Sequence, residues 1–128
     1  FSGSGGLTGS TGLIKQGGGT LFLDPSNNYT GNTVISDGTL TLGAAGGLPG
    51  GSGYGGVTVN GALDLGGFSG TINNLSGHGV VDNVTAGGAV ELTLNETTNT
   101  TFSGTLKNTT GSLNCRVRAV RRQSCCRG

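Results

Sequence analysis

Apolar residues along this chain come in short alternating runs. Leu21 and Leu23 flank Phe22, Leu40 and Leu42 flank Thr41, and Val57 and Val59 flank Thr58. Leu63 and Leu65 flank Asp64, and Val90, Leu92 and Leu94 alternate with Glu91 and Thr93. A period of two places every second side chain on a buried face, so each run predicts a half-buried β-strand. No long helical stripe is present, and glycine interrupts every candidate helix. Turn-forming residues bound the runs: Gly17–Gly19, Asp24–Asn28, Ser36–Gly38, Gly66-Gly67 and Gly87-Gly88. Asn60-Gly61 suits two structures equally, a tight hairpin or a corner between successive strands of a coil.

The runs also repeat. Gly-Thr-Leu occurs at Gly19–Leu21, Gly38–Leu40 and Gly104–Leu106, and Gly70-Thr71-Ile72 is a close variant. Phe68–Asn74 is echoed by Phe102–Asn108, and Phe1-Ser2-Gly3 matches the start of both. The echo suggests a loose period of one or two turns of a coil. A parallel β-helix accounts for this pattern. Each coil contributes short strands that pair with the coils above and below, and Leu, Val and Ile fill a narrow interior. Gly, Asn and Asp make the corners. The alternative is an irregular β-sandwich, whose strands would be longer and lack phrase-level repetition.

Composition narrows the picture. With 29 glycines in 128 residues and a hydrophobic fraction of 32%, the core is thin and there is room for one domain. The glycines lack the Gly-X-Y period of collagen, and the clustered apolar runs do not fit a flexible linker. No apolar run is long enough for a membrane helix. The chain opens on Phe1-Ser2-Gly3 without a basic, apolar leader, and reads as an excerpt of something longer.

The chemistry changes abruptly near residue 113. Residues 1–113 hold two lysines, Lys15 and Lys107, against Asp24, Asp37, Asp64, Asp82, Glu91 and Glu96, with no Arg or Cys. Residues 114–128 hold every arginine and all three cysteines. So sparse a positive charge in the body argues against nucleic acid as a partner.

Candidate chemistry is thin. His78 lies in Ser-Gly-His-Gly and reads as an exposed turn residue. The acids are scattered, so a catalytic pair requires Asp82 and Glu91, or others, to meet across coils. Gly43–Gly56 has no phosphate-loop lysine and reads as a loop or a transition between coils. Cys115, Cys125 and Cys126 match no zinc spacing. Six Asn-x-Ser/Thr triplets, at Asn28, Asn74, Asn83, Asn95, Asn99 and Asn108, are expected by chance in so Asn- and Thr-rich a chain. Tyr29, Tyr54 and Phe68 are candidate aromatic contacts for glycans. The residues therefore indicate no catalytic, cofactor-binding or metal site, no cofactor and no enzyme activity.

Gly12-Leu13-Ile14-Lys15-Gln16-Gly17-Gly18-Gly19-Thr20-Leu21-Phe22-Leu23 resembles the opening of the autotransporter-associated β-strand repeat. Asn27-Asn28-Tyr29-Thr30-Gly31, Thr33-Val34-Ile35 and Gly38–Gly43 resemble its continuation. Residues 57–113 resemble the family more loosely. The resemblance implies a right-handed parallel β-helix within the passenger of a bacterial surface protein, exported through the outer membrane by a C-terminal β-barrel translocator. It implies a non-catalytic stalk at the cell surface or outside the cell. Some such passengers act in adhesion, aggregation or virulence, so the alternative role is a binding module that contacts glycans or a host or neighbouring cell surface.

On this reading, residues 1–113 form the repeat region. Residues 114–128 are an atypical tail, disordered or read out of frame, because the family phrase should restart after Gly111-Ser112-Leu113 and does not. The open ends of a β-helix predict edge-to-edge self-association.

Overall fold

The computed structural model describes residues 6–24, 26–51, 53–84, 89–96, 100–107, 109 and 112–119. Strand β1 (Leu13–Lys15) pairs in parallel with β3 (Thr33–Ile35), and β3 with β5 (Val57–Val59). A second sheet stacks β2 (Thr20–Leu23), β4 (Thr39–Leu42), β6 (Ala62–Asp64), β8 (Val80–Asp82) and β10 (Thr105–Leu106), again all parallel. A third begins later, with β7 (Gly70–Asn73), β9 (Ala89–Glu96) and β11 (Ser112–Ala119). Successive strands belong to different sheets, and every pairing among the described strands is parallel. The fold is therefore a three-faced β-solenoid, not a sandwich of antiparallel sheets.

The alternating runs form the interior. On the second sheet Leu40, Leu63, Val81 and Leu106 share one buried column, capped at the first coil by partly buried Leu21. On the first sheet Ile35 pairs with Val59, both fully buried, while Ile14, Val34 and Thr58 form the outward row. Stacking keeps each coil's apolar residues over those of its neighbours, so the core runs along the axis.

One corner explains the recurrent glycine. Gly19, Gly38, Gly61, Gly79 and Gly104 each precede a strand of the second sheet. Thr39, Ala62, Val80 and Thr105 donate their N–H groups to the carbonyls of Gly19, Gly38, Gly61 and Gly79 at 2.9–3.0 Å. A Cβ at Gly38, Gly61, Gly79 or Gly104 would collide with the carbonyl of the glycine one coil above. Glycine is thus dictated by the approach of stacked corners. Asn60-Gly61 is such a corner, because β5 and β6 lie in different sheets.

The echoed phrases are not equivalent positions. Gly70-Thr71-Ile72 starts β7 of the third sheet, whereas Gly104-Thr105-Leu106 leads into β10 of the second. Their spacing spans a coil plus one face. True neighbours are the pairs Leu21 with Leu40 and Leu63 with Val81.

Strand β11 crosses residue 113. It places Leu113, Cys115 and Val117 in register with the buried Val90, Leu92 and Leu94, and Asn114 and Arg116 with Glu91 and Thr93. Arg121, Arg122, Cys125, Cys126 and Arg127 lie outside the described residues.

Candidate functional site: a crevice beside Gly70

The structure separates most of the residues singled out by sequence. His78 is exposed at a corner, its backbone N–H donating to the Asn60 side-chain oxygen at 3.3 Å. Asp82 ends β8 on the second sheet, while Glu91 is exposed on β9 of the third. No group of three or more His, Cys, Asp or Glu gathers among the described residues. Tyr29 is buried at 1% exposure and its hydroxyl bonds to that of Thr33 at 2.6 Å. Burial pushes the Tyr29 phenol above its ordinary pKa, and the Thr33 hydrogen bond offsets part of that rise. Tyr29 is thus a core residue, whereas Tyr54 and Phe68 are partly exposed.

The acids serve the backbone. Asp64 accepts from the N–H of Gly66 at 2.9 Å and, one coil on, from that of Val84 at 3.1 Å. Asp82 accepts the N–H groups of Asn83 and Thr109, both at 2.8 Å, and the Thr109 hydroxyl, and Lys107 approaches it at 3.8 Å. Buried Glu96 accepts from Leu75 N at 3.1 Å and from the Thr100 hydroxyl at 2.7 Å. Each carboxylate fixes main-chain donors that a corner would leave unpaired.

Sequence reasoning missed the buried lysine and asparagines. Lys15 is 8% exposed and donates to the carbonyls of Gln16 at 2.9 Å, Gly17 at 2.7 Å and Asp37 at 3.3 Å. Its stem lies at an inward register position above Ile35, and its ammonium closes the corner across two coils. Asn27 accepts from Leu7 N at 2.7 Å and donates to Gly47 O at 2.6 Å. Asn73 accepts from Gly51 N at 2.9 Å and from the Asn95 side chain at 3.2 Å, and donates to Tyr54 O at 2.9 Å. These asparagines stitch the third face where the strand ladder is interrupted. The available signal was the spacing of Asn73 and Asn95, which are 22 residues apart.

The interruption creates a crevice. Residues 43–51 and 53–56 occupy the third face of the second coil, and Pro49 within them lacks the N–H a ladder needs. The third sheet therefore begins one coil later, at β7. There Gly70 takes an inward register position beside the fully buried Leu92. A Cβ at Gly70 would meet no heavy atom within 4 Å. Beside it lies a cavity of about 230 Å³, open on one side. Leu42, Leu48, Leu65, Ile72 and Leu92 provide its apolar lining, and Ser26, Asn27, Tyr54, Ser69 and Thr71 also border it. No charged side chain lines it.

Comparison with known proteins places these features in a family. Residues 13–42, from β1 to the end of β4, match the Passenger-associated-transport-repeat family. Over 105 residues, 80% of the chain, the sequence is 39% identical to the Adhesin BmaC autotransporter of Brucella suis biovar 1 (strain 1330). The chain spans 3% of that protein's length. No solved structure matches it. The matched phrase coincides with Lys15, the stacked Gly19 and Gly38, and the buried Tyr29, so the repeat signature is the set of residues that makes coils stack. The chain belongs to the β-helical repeat family of autotransporter passengers.

Proposed function

We propose that this segment is a structural stalk within a surface-exposed passenger, projecting whatever lies beyond it. The observation that carries this reading is the use of its polar side chains. Lys15, Asn27, Asn73, Asp64, Asp82 and Glu96 are all engaged in holding one coil to the next or a corner to itself. Such a segment transmits position and force along an axis and does no chemistry. The parent protein is proposed to reach the bacterial surface through the outer membrane, carried by a C-terminal β-barrel translocator.

A second reading, an adhesive module, is favoured by the naming of the BmaC relative as an adhesin and by the open crevice beside Gly70. The two are separated by replacing the segment, in a displayed passenger, with an unrelated β-solenoid of equal coil number. A stalk predicts unchanged display and unchanged cell binding. Normal display with lost cell binding would overturn the stalk reading in favour of the adhesive one.

A further inference from the structure

We propose that Asn60-Gly61 is a site of self-modification that the folded solenoid holds shut, and that a chain left open there converts Asn60 to isoaspartate and can no longer stack its coils. The inference goes beyond the stalk reading and does not depend on it.

The chemistry belongs to the dipeptide. In an open chain the Gly61 amide nitrogen gives its proton to hydroxide and attacks Asn60 Cγ. The N–Cγ bond forms, the side-chain nitrogen leaves as ammonia, and a five-membered succinimide results. Water then adds to either ring carbonyl, opening the ring to aspartate or isoaspartate. A Cβ on the following residue would shield the attacking nitrogen, and glycine has none. Of the asparagines in the chain, only Asn60 precedes a glycine.

In the folded chain both reacting groups are tied. The N–H groups of Asn60 and Gly61 donate to the Ile35 carbonyl of the coil above, at 2.8 and 3.0 Å. The Asn60 side-chain oxygen accepts the His78 N–H of the coil below at 3.3 Å. Ring closure requires the Gly61 nitrogen to be freed and Cγ to turn onto it, so these contacts must break first. The corner leads into β6, which has a strand on each side, so opening it disrupts two interfaces. The rate in the folded chain is then set by the population of the opened corner.

The two products differ in consequence. Aspartate leaves the main chain unchanged. Isoaspartate routes it through the side chain and lengthens it by one carbon, about 1.5 Å. Only Asn60 and Gly61 join β5 to β6, so the corner has no slack to absorb the insertion while both donors reach Ile35. The amide itself is not demanded by stacking. Asp37, His78 and Ser103 precede the corner glycines Gly38, Gly79 and Gly104 in its place.

The test incubates the intact chain at mildly alkaline pH, folded in buffer and unfolded in urea. Peptide mass spectrometry follows each asparagine, and electron-transfer fragmentation separates isoaspartate from aspartate. In urea Asn60 should convert faster than any other asparagine. In buffer its conversion should be at least about 10-fold slower than in urea. Leu63→Ala, which loosens the central coil, should speed conversion in buffer. Asn60→Ser should abolish the reaction at this corner and keep a near-native melting temperature. Chains carrying isoaspartate, returned from urea to buffer, should melt lower than unaltered chains. Folded and unfolded rates within about twofold of each other, faster conversion at another asparagine in urea, or native melting of the isoaspartate chains would overturn the proposal. The folded-against-unfolded comparison on the unaltered chain decides the matter even where Leu63→Ala fails to fold.

Discussion

At the residue scale, the repeat signature is a set of solutions to backbone problems. Lys15 shows this most clearly, since its three donors meet three carbonyls and no carboxylate. A charge surrounded by carbonyl dipoles is tolerated in a nearly buried position because every proton is used. Lys15→Met keeps the stem and removes the donors. It is expected to cost about 2 kcal/mol, measured by urea unfolding, because the carbonyls lose their partner. An unchanged midpoint would show that water satisfies them equally well. Tyr29 makes a pH-dependent contribution with a defined sign. Its folded pKa is raised, so the stability it contributes is fully present below the unfolded value, about 10. As pH climbs past that value the unfolded chain ionises first, and the contribution is lost as pH rises through the folded value. Between pH 8 and pH 11 the native chain should lose more stability than Tyr29→Phe. Tyr29→Phe itself should cost about 1 kcal/mol at neutral pH, because the Thr33 hydroxyl is left buried without its partner. Parallel stability curves for the two proteins would remove Tyr29 from the account.

At the element scale, stacked corners and the last strand decide which changes are tolerated. Gly61→Ala drives a methyl into the Gly38 carbonyl and is expected to cost about 2 kcal/mol. Gly18→Ala, where a Cβ meets nothing within 4 Å, should change stability by less than about 0.5 kcal/mol. Equal effects at both positions would sink the stacking argument. Strand β11 offers a second contrast. Its register sets Leu113, Cys115 and Val117 beside the buried column of β9, although the composition breaks at residue 113. A chain ending at Ala119 should keep the native melting temperature. One ending at residue 111 should melt lower and associate through the uncovered β9 edge, seen by light scattering. The strands themselves were legible in the sequence because an alternating leucine or valine run has only one low-energy way to bury half its side chains. Their assignment to faces was not, since Phe68–Asn74 and Phe102–Asn108 look alike yet begin strands of different sheets. The crevice was equally hidden. Gly70 resembles every other Gly-Thr corner until the register shows that it stands where Leu92 stands one coil later.

At the scale of the whole molecule, stability is a sum over coils and their interfaces, so it should vary along the axis. Ile14 and Phe22 face outward, exposed at 64% and 54%, and no strand among the described residues covers β1 or β2 from above. Strand β6, by contrast, has a strand on each side and contributes the fully buried Leu63. An end coil therefore opens by breaking one interface, whereas a central coil opens only by breaking two. Amide hydrogen exchange should be slowest at Leu40, Leu63 and Val81 and fastest at Ile14 and Phe22, with intermediate rates at Leu106. The gradient should be steeper on the second sheet, which runs through five strands, than on the first, which has three. A coil inside a longer solenoid has neighbours at both ends. Adding one flanking coil above β1 should therefore slow exchange at Ile14 and Phe22 at least 10-fold, and leave Leu63 unchanged. Uniform protection along the chain, or no response at Ile14 and Phe22 to the added coil, would mean that the segment unfolds as a single cooperative block and that its open edges carry no free-energy deficit.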